Sequence, residues 1–249
     1  GNKITITAAN NYSISGTLTD GQVTVNTTDK GTVRLILNGA HITHSTGAGI
    51  YIESAKKVVL VLPEGTENSV TDGATYVASS SSDESNAAIF SMADLTVYGS
   101  GKLVVTGNYQ DGITSKDGLI IKNSTLEVTA VDDAIRGKDY LVVSEANLTL
   151  TAGGDGLKSD NEEDTNRGFI SIASGTFHIT ATSDALDAQT DVIITGGNFN
   201  LISGGGSSKT VASTASAKGI KGGTLVIIEA GTFTINSADD ALHTNGQLA

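Results

Sequence analysis

Apolar and polar residues alternate in short runs along this chain, and the runs return on a fixed cycle. Ile121, Val143, Ile172, Ile194 and Ile228 form one apolar column, and Leu126, Leu148, Phe177, Phe199 and Phe233 stand five residues later. Two residues further on come Val128, Leu150, Ile179, Leu201 and Ile235. A spacing of two is the strand period, with the Thr, Glu, His or Asn in between directed outward. Val, Ile and Thr are frequent and capped helical patterns are absent, so the runs predict short strands.

A second phrase marks the cycle itself: an acid, then Gly or Ala, then Ile or Leu. It reads Asp111-Gly112-Ile113, Asp133-Ala134-Ile135, Asp155-Gly156-Leu157, Asp184-Ala185-Leu186, Lys218-Gly219-Ile220, with Lys in the acid's place, and Asp240-Ala241-Leu242. Three of the five intervals are 22 residues, and insertions of 7 and 12 account for the others. A unit with about three short strands is too small to bury a core alone, so successive units must stack. Like residues then lie about 4.8 Å apart and the columns become ladders. The predicted fold is all-β, a parallel β-helix, right-handed by the usual crossover rule. It is expected to be one elongated domain over residues 1–249, with insertions at 72–86, 158–168 and 202–217.

The first 30 residues alternate more loosely (Ile4, Ile6; Val23, Val25) and are expected to form a first coil or a cap. Gly49-Ile50 and Ala88-Ile89 are versions of the phrase without the acid, and residues 72 to 86, with Ser79 to Ser82, read as a solvated loop. Chain ends of a stacked sheet expose strand edges, which calls for a small cap or for further chain. With no basic start and apolar stretch at Gly1, a signal peptide is expected to be removed or absent.

Composition narrows the partners. Net charge is −12 with 30 Gly, one Pro and no Trp; nucleic acid is excluded, because phosphate binding needs basic patches. No apolar run approaches membrane-spanning length, so no membrane insertion is expected. The absence of Cys removes disulfides and thiolate metal sites and is compatible with a secreted or surface-exposed bacterial protein. His41, His44 and His178 make no zinc constellation with His243.

The chemistry concentrates on the acids. Stacking brings Asp111, Asp133, Asp155 and Asp184 into one row, each about 5 Å from the next. Two unit charges at that distance repel by roughly 1 kcal/mol in bulk water and about 3 to 4 kcal/mol at an effective dielectric near 20. Raised pKa values, splayed side chains or bound cations would offset this. Calcium is the most economical cation, since it takes six to eight oxygen ligands in flexible geometry. Asp132, Asp187, Asp239 and Asp160, the last in an insertion with four acids, stand close enough in sequence to join Asp240 and the row as ligands.

The phrases Asp132-Asp133-Ala134-Ile135, Asp155-Gly156-Leu157-Lys158-Ser159-Asp160 and Asp239-Asp240-Ala241-Leu242, with Gly175-Thr176-Phe177 and Gly231-Thr232-Phe233, resemble the clostridial secreted carbohydrate-binding β-helix family over about residues 30 to 249. The resemblance implies several calcium ions, a polysaccharide partner such as polygalacturonate or cellulose, and no established catalysis. Those proteins are similar to family 9 pectate lyases, which hold calcium with an Asp from one coil and an Asp pair plus a third Asp from the next. Asp155 with Asp184 and Asp187 matches most of that set, with Ser183 in place of the first of the pair. Asp111 with Asp132 and Asp133 matches the pair, with Arg136 in the third place. Both departures weigh against a lyase.

Three residues after each phrase acid, or after Lys218, stand Thr114, Arg136, Lys158, Asp187, Lys221 and His243. As a row, Arg136, Lys158, Lys221 and His243 would read an acidic glycan, with calcium bridging its carboxylates. Neutral glycans are normally gripped by aromatic platforms, so charge favours the acidic sugar and cellulose rests on the resemblance. The expected function is that of a calcium-binding, non-catalytic extracellular protein that binds plant cell-wall polysaccharide as a monomer. The alternatives are a calcium-dependent pectate lyase with Lys221 as base and a structural or adhesive surface solenoid.

Overall fold

The computed structural model describes residues 2–77, 84–212 and 214–249. Among these the chain is all strand and turn, with every strand pairing parallel and no helix. One ten-stranded sheet runs through Asn2–Ile6, Gly21–Asn26, Ile50–Ser54, Ala87–Ser91, Asp111–Ser115, Ile135–Gly137, Leu157–Ser159, Leu186–Ala188, Ile220–Gly222 and Leu242–Thr244. The remaining strands form two ladders that meet in the long strand Thr32–Thr43. Its first half pairs with Lys57–Val61 and its second with Glu67–Thr71. A representative turn of the solenoid is Asp111–Ser115, Gly118–Lys122 and Thr125–Ala130, each lying against its counterpart in the turns before and after.

The apolar columns predicted from spacing are ladders in register. Ile121 lies opposite Val143, then Ile172, Ile194 and Ile228. Leu126, Leu148, Phe177, Phe199 and Phe233 follow one another in the same way. Nearly all of these side chains are buried in one continuous core. The last three rings stack face to face, with centroids 4.5 and 4.6 Å apart and planes within 5°. Gly175 and Gly231 open the Gly-Thr-Phe phrases at positive φ (139° and 132°), where a Cβ would press on the Phe ring two residues on. That motif is therefore dictated by backbone conformation and ring clearance.

The second residue of each phrase alternates Gly112, Ala134, Gly156, Ala185, Gly219, Ala241, for a packing reason. A Cβ on Gly156 would lie 2.4 Å from Ile179 Cγ2 and 2.6 Å from the Ala185 carbonyl oxygen. Gly112 and Gly219 meet Val128 and Ile235 and the carbonyls of Ala134 and Ala241 in the same way. Gly156→Ala is expected to destabilise by about 1–3 kcal/mol through overpacking. A denaturant midpoint matching the parent protein would show that the coils can spread there.

The acid-free phrases join the same sheet: Ile50 lies opposite Ile89, and Ile89 opposite Ile113. Ala87 occupies the address of Asp111, and Tyr51 and Phe90 stand in the column that continues as Thr114 and Arg136. The acid and base stripes thus become an apolar patch of Ala48, Tyr51, Ala87 and Phe90, with Tyr76 packed against it. The predicted loop at 72–86 falls partly on residues 78–83, outside the described residues, as does Ser213 of the 202–217 insertion. Its first part is packed down: Asp72 is buried, accepting from the backbone N–H of Asn108 and from the Tyr76 hydroxyl.

Candidate functional site

Asp111, Asp133, Asp155 and Asp184 stand at the start of successive strands of the ten-stranded sheet, and stacking makes them a vertical row of residues only 1–5% exposed, whereas Asp240 in the last coil is exposed. Each buried carboxylate caps the coil beyond it. Asp111 Oδ1 accepts from the N–H of Asp133 at 3.3 Å, Asp133 Oδ1 from Asp155 at 2.8 Å, and Asp155 Oδ1 from Asp184 at 2.9 Å. Asp184 Oδ1 ends the series on the N–H of Lys218 at 2.6 Å, because the lysine that replaces the acid has no carboxylate to extend it. Short acidic side chains readily take neighbouring backbone N–H groups, and the fixed register repeats the bond coil by coil.

The second oxygens face the outer row. Thr114, Arg136, Lys158, Asp187, Lys221 and His243 lie in register on successive strands. Lys158 Nζ bridges two coils, 2.7 Å from Asp155 Oδ2 and 3.1 Å from Asp133 Oδ2. Lys221 Nζ lies 3.0 Å from Asp187 Oδ1 and 3.5 Å from Asp184 Oδ2. Asp111 Oδ2 takes the Thr114 hydroxyl and the Asn86 amide at 2.8 Å each, with Arg136 Nη1 at 3.9 Å. Ser216, from the 202–217 insertion, donates to Asp184. The repulsion expected from sequence is therefore offset by ammonium, guanidinium and hydroxyl groups of the chain itself.

Burial and these neighbours shift the titrations. Burial raises the pKa of Asp133 to about 7, and nearby Lys158 only partly opposes it. Burial likewise raises Asp111 and Asp187. For Lys158 and Lys221 burial pulls downward, but the carboxylates of Asp155 and Asp133, and of Asp187 and Asp184, outweigh it, so both stay ammonium ions well above neutrality. A carboxyl raised in the folded state stabilises below its unfolded pKa and loses that contribution as pH rises through the folded one. In chelator, stability is thus expected to fall between about pH 4 and 7, with Asp133 contributing up to about 1.4 kcal/mol per pH unit. Thermal melts at pH 5 and 8 check this, and Asp133→Asn should flatten the slope.

Among the described residues two groups of three acids could hold a metal ion, Asp111 with Asp132 and Asp133, and Asp155 with Asp184 and Asp187. In each, one oxygen from every carboxylate lies within 4.8 Å of the others. The remaining sequence candidates lie outside both groups. Asp160 forms a two-pronged pair with Arg136, at 2.6 and 3.1 Å. Asp239 meets Lys218 at 2.5 Å and Asp240 meets His243 at 2.9 Å. The capping bonds, Asn86 and Ser216 were not foreseen; the first had a signal in the recurrence of Asp at the start of the phrase.

The chain is an all-β parallel solenoid with acids and bases in register along one sheet. It superposes on the solved structure described as the polysaccharide lyase-like protein from C. thermocellum, gadolinium derivative, with a TM-score of 0.78 and 28% identity. That match covers 99% of this chain and 86% of the other. The chain belongs to the family described as carbohydrate-binding domain-containing protein, whose model matches residues 1–249. A relative of that description from Acetivibrio thermocellus is 42% identical over 204 residues, 82% of this chain and 71% of its own length.

Proposed function

We propose that this protein is a secreted or cell-surface, calcium-binding right-handed β-helix, a single domain acting as a monomer, that binds acidic polysaccharide without cleaving it. The observation that carries this reading is the registered row of Arg136, Lys158 and Lys221 beside two three-acid groups. Hard carboxylate oxygens from adjacent coils suit calcium. Calcium would supply a bridge between these carboxylates and those of a uronate chain, while Arg136, Lys158 and Lys221 add charge-assisted hydrogen bonds. The Lys residues are already engaged by carboxylates, and a metal taking those oxygens would release them toward a ligand.

The same geometry favours binding over elimination. A base must be neutral to take a proton, and Lys221 is held as an ammonium ion by Asp187 and Asp184. Retention on polygalacturonate in calcium, lost on adding chelator, is the expected result. An unsaturated, ultraviolet-absorbing product that disappears in Lys221→Ala would establish a lyase instead. Failure to bind any acidic or neutral glycan would leave a structural solenoid.

A further inference from the structure

At the other end of the same strands, where the chain turns from the ten-stranded sheet into the next ladder, a hollow of about 530 Å3 opens on the surface. It is lined by Asp94, Asp117, Asp139, Tyr140, Arg167 and Phe169, among others. The 158–168 insertion builds its outer wall, and Asn161 anchors that wall by donating to Asp139 Oδ1 at 2.6 Å. Arg167 crosses the hollow to pair with Asp139 and, at 3.3 Å, with Asp164. None of these acids belongs to the two groups close enough to share a metal.

The aromatic rings give the hollow a direction. Tyr140 and Phe169 stand opposite each other on neighbouring strands and stack at 5.7 Å with planes 19° apart. On its far side Tyr140 lies over Gly118, where a Cβ would sit 2.0 Å from the ring. Asp191 precedes the Ile170–Val192 pair, so the next coil offers no ring and the stack ends at Phe169. Phe169 also lines a second hollow of about 320 Å3, shared with Thr165, Asn166 and Asp191. The two hollows adjoin at Asn166 and Phe169, which line both, and together they make up one groove.

We propose that this groove is a second carbohydrate site, distinct from the acid–base row, that binds a neutral pyranose chain with one sugar face on Phe169. The C–H face of a pyranose packs on an aromatic ring, while carboxylates, an amide and a guanidinium are suited to pairs of hydroxyl groups. Asp94, Asp117 and Asp139 crowd together against a single Arg, so a uronate chain is repelled here and directed to the row of Arg136, Lys158 and Lys221. The proposal rests on the carbohydrate-binding reading and divides it by charge between two faces.

Affinity electrophoresis through hydroxyethyl cellulose and, separately, through polygalacturonate tests the division. Phe169→Ala is expected to weaken retention by the neutral polymer about tenfold, the loss of roughly 1.4 kcal/mol of ring contact. Phe169→Tyr should keep it and Asn166→Ala should reduce it. Polygalacturonate retention should stay unchanged in all three, which also reports that the variants are folded. Neutral retention that survives Phe169→Ala, or a parent protein held by polygalacturonate alone, would overturn the second site while leaving the acidic-glycan reading intact. Retention by neither polymer would overturn both, and stronger retention by a cationic amino-sugar polymer would reassign the groove.

Discussion

Removing calcium is expected to lower the melting temperature by roughly 10–20 °C. A ligand at a hundred times its dissociation constant stabilises the folded state by about 2.7 kcal/mol per site. Two groups of acids qualify as sites, and each kcal/mol moves the transition of a chain this long by about 2–4 °C. The effect should saturate with calcium and be greater at pH 8 than at pH 5, because Asp133 carries a proton at the lower pH and a metal must displace it. The chelated protein should still be folded, since the continuous apolar core and the Asp-to-backbone bonds need no ion. Calorimetric melts in calcium and in chelator make the comparison; coincident transitions would remove the metal from the stability of the fold.

Lys158→Ala should have effects of different size with and without calcium. The ammonium group touches one acid from each group, Asp133 and Asp155, and its side chain is only 24% exposed. In chelator at pH 8 its loss leaves two buried carboxylates facing each other, a cost of about 3 kcal/mol or about 6–12 °C. With calcium bound the ion supplies the missing positive charge, so most of that loss should vanish. Calcium should also bind this variant more tightly, having no ammonium ion to displace. Titration calorimetry with the metal alone and melts in both conditions measure this, with Lys158→Arg as the charge-preserving control. An equal loss in calcium and in chelator would mean that lysine and metal do not compete for these oxygens.

How much was legible in advance follows from what repeats. The ladder of Leu126, Leu148, Phe177, Phe199 and Phe233 could be read from spacing because a strand's two-residue period and a constant coil length leave one register that buries the apolar set. The row from Thr114 to His243 was readable for the same reason. The Gly-Thr-Phe phrases were visible, but their cause was not: positive φ and a ring beneath the glycine appear only in three dimensions. The capping of each coil by the Asp before it also escaped notice. Spacing placed the carboxylates in a row, whereas their individual oxygens were assigned by side-chain rotation and by which N–H groups lay unpaired.

The groove at Tyr140 and Phe169 shows the limit most plainly. These residues are 29 apart, an interval stretched by the 158–168 insertion, and nothing in the alternation of apolar and polar positions says that an insertion folds back over a corner to meet Asp139. Sequence alone determined the parallel stacking, the buried columns and the alignment of acids beside bases, because each is a consequence of periodicity. Tertiary structure decided which cation each carboxylate meets, which acids lie within a metal's reach and where the surface is hollow. Those outcomes depend on distances of an ångström or two between side chains from different coils, and a repeat fixes the address of a residue without fixing the direction of its last bond.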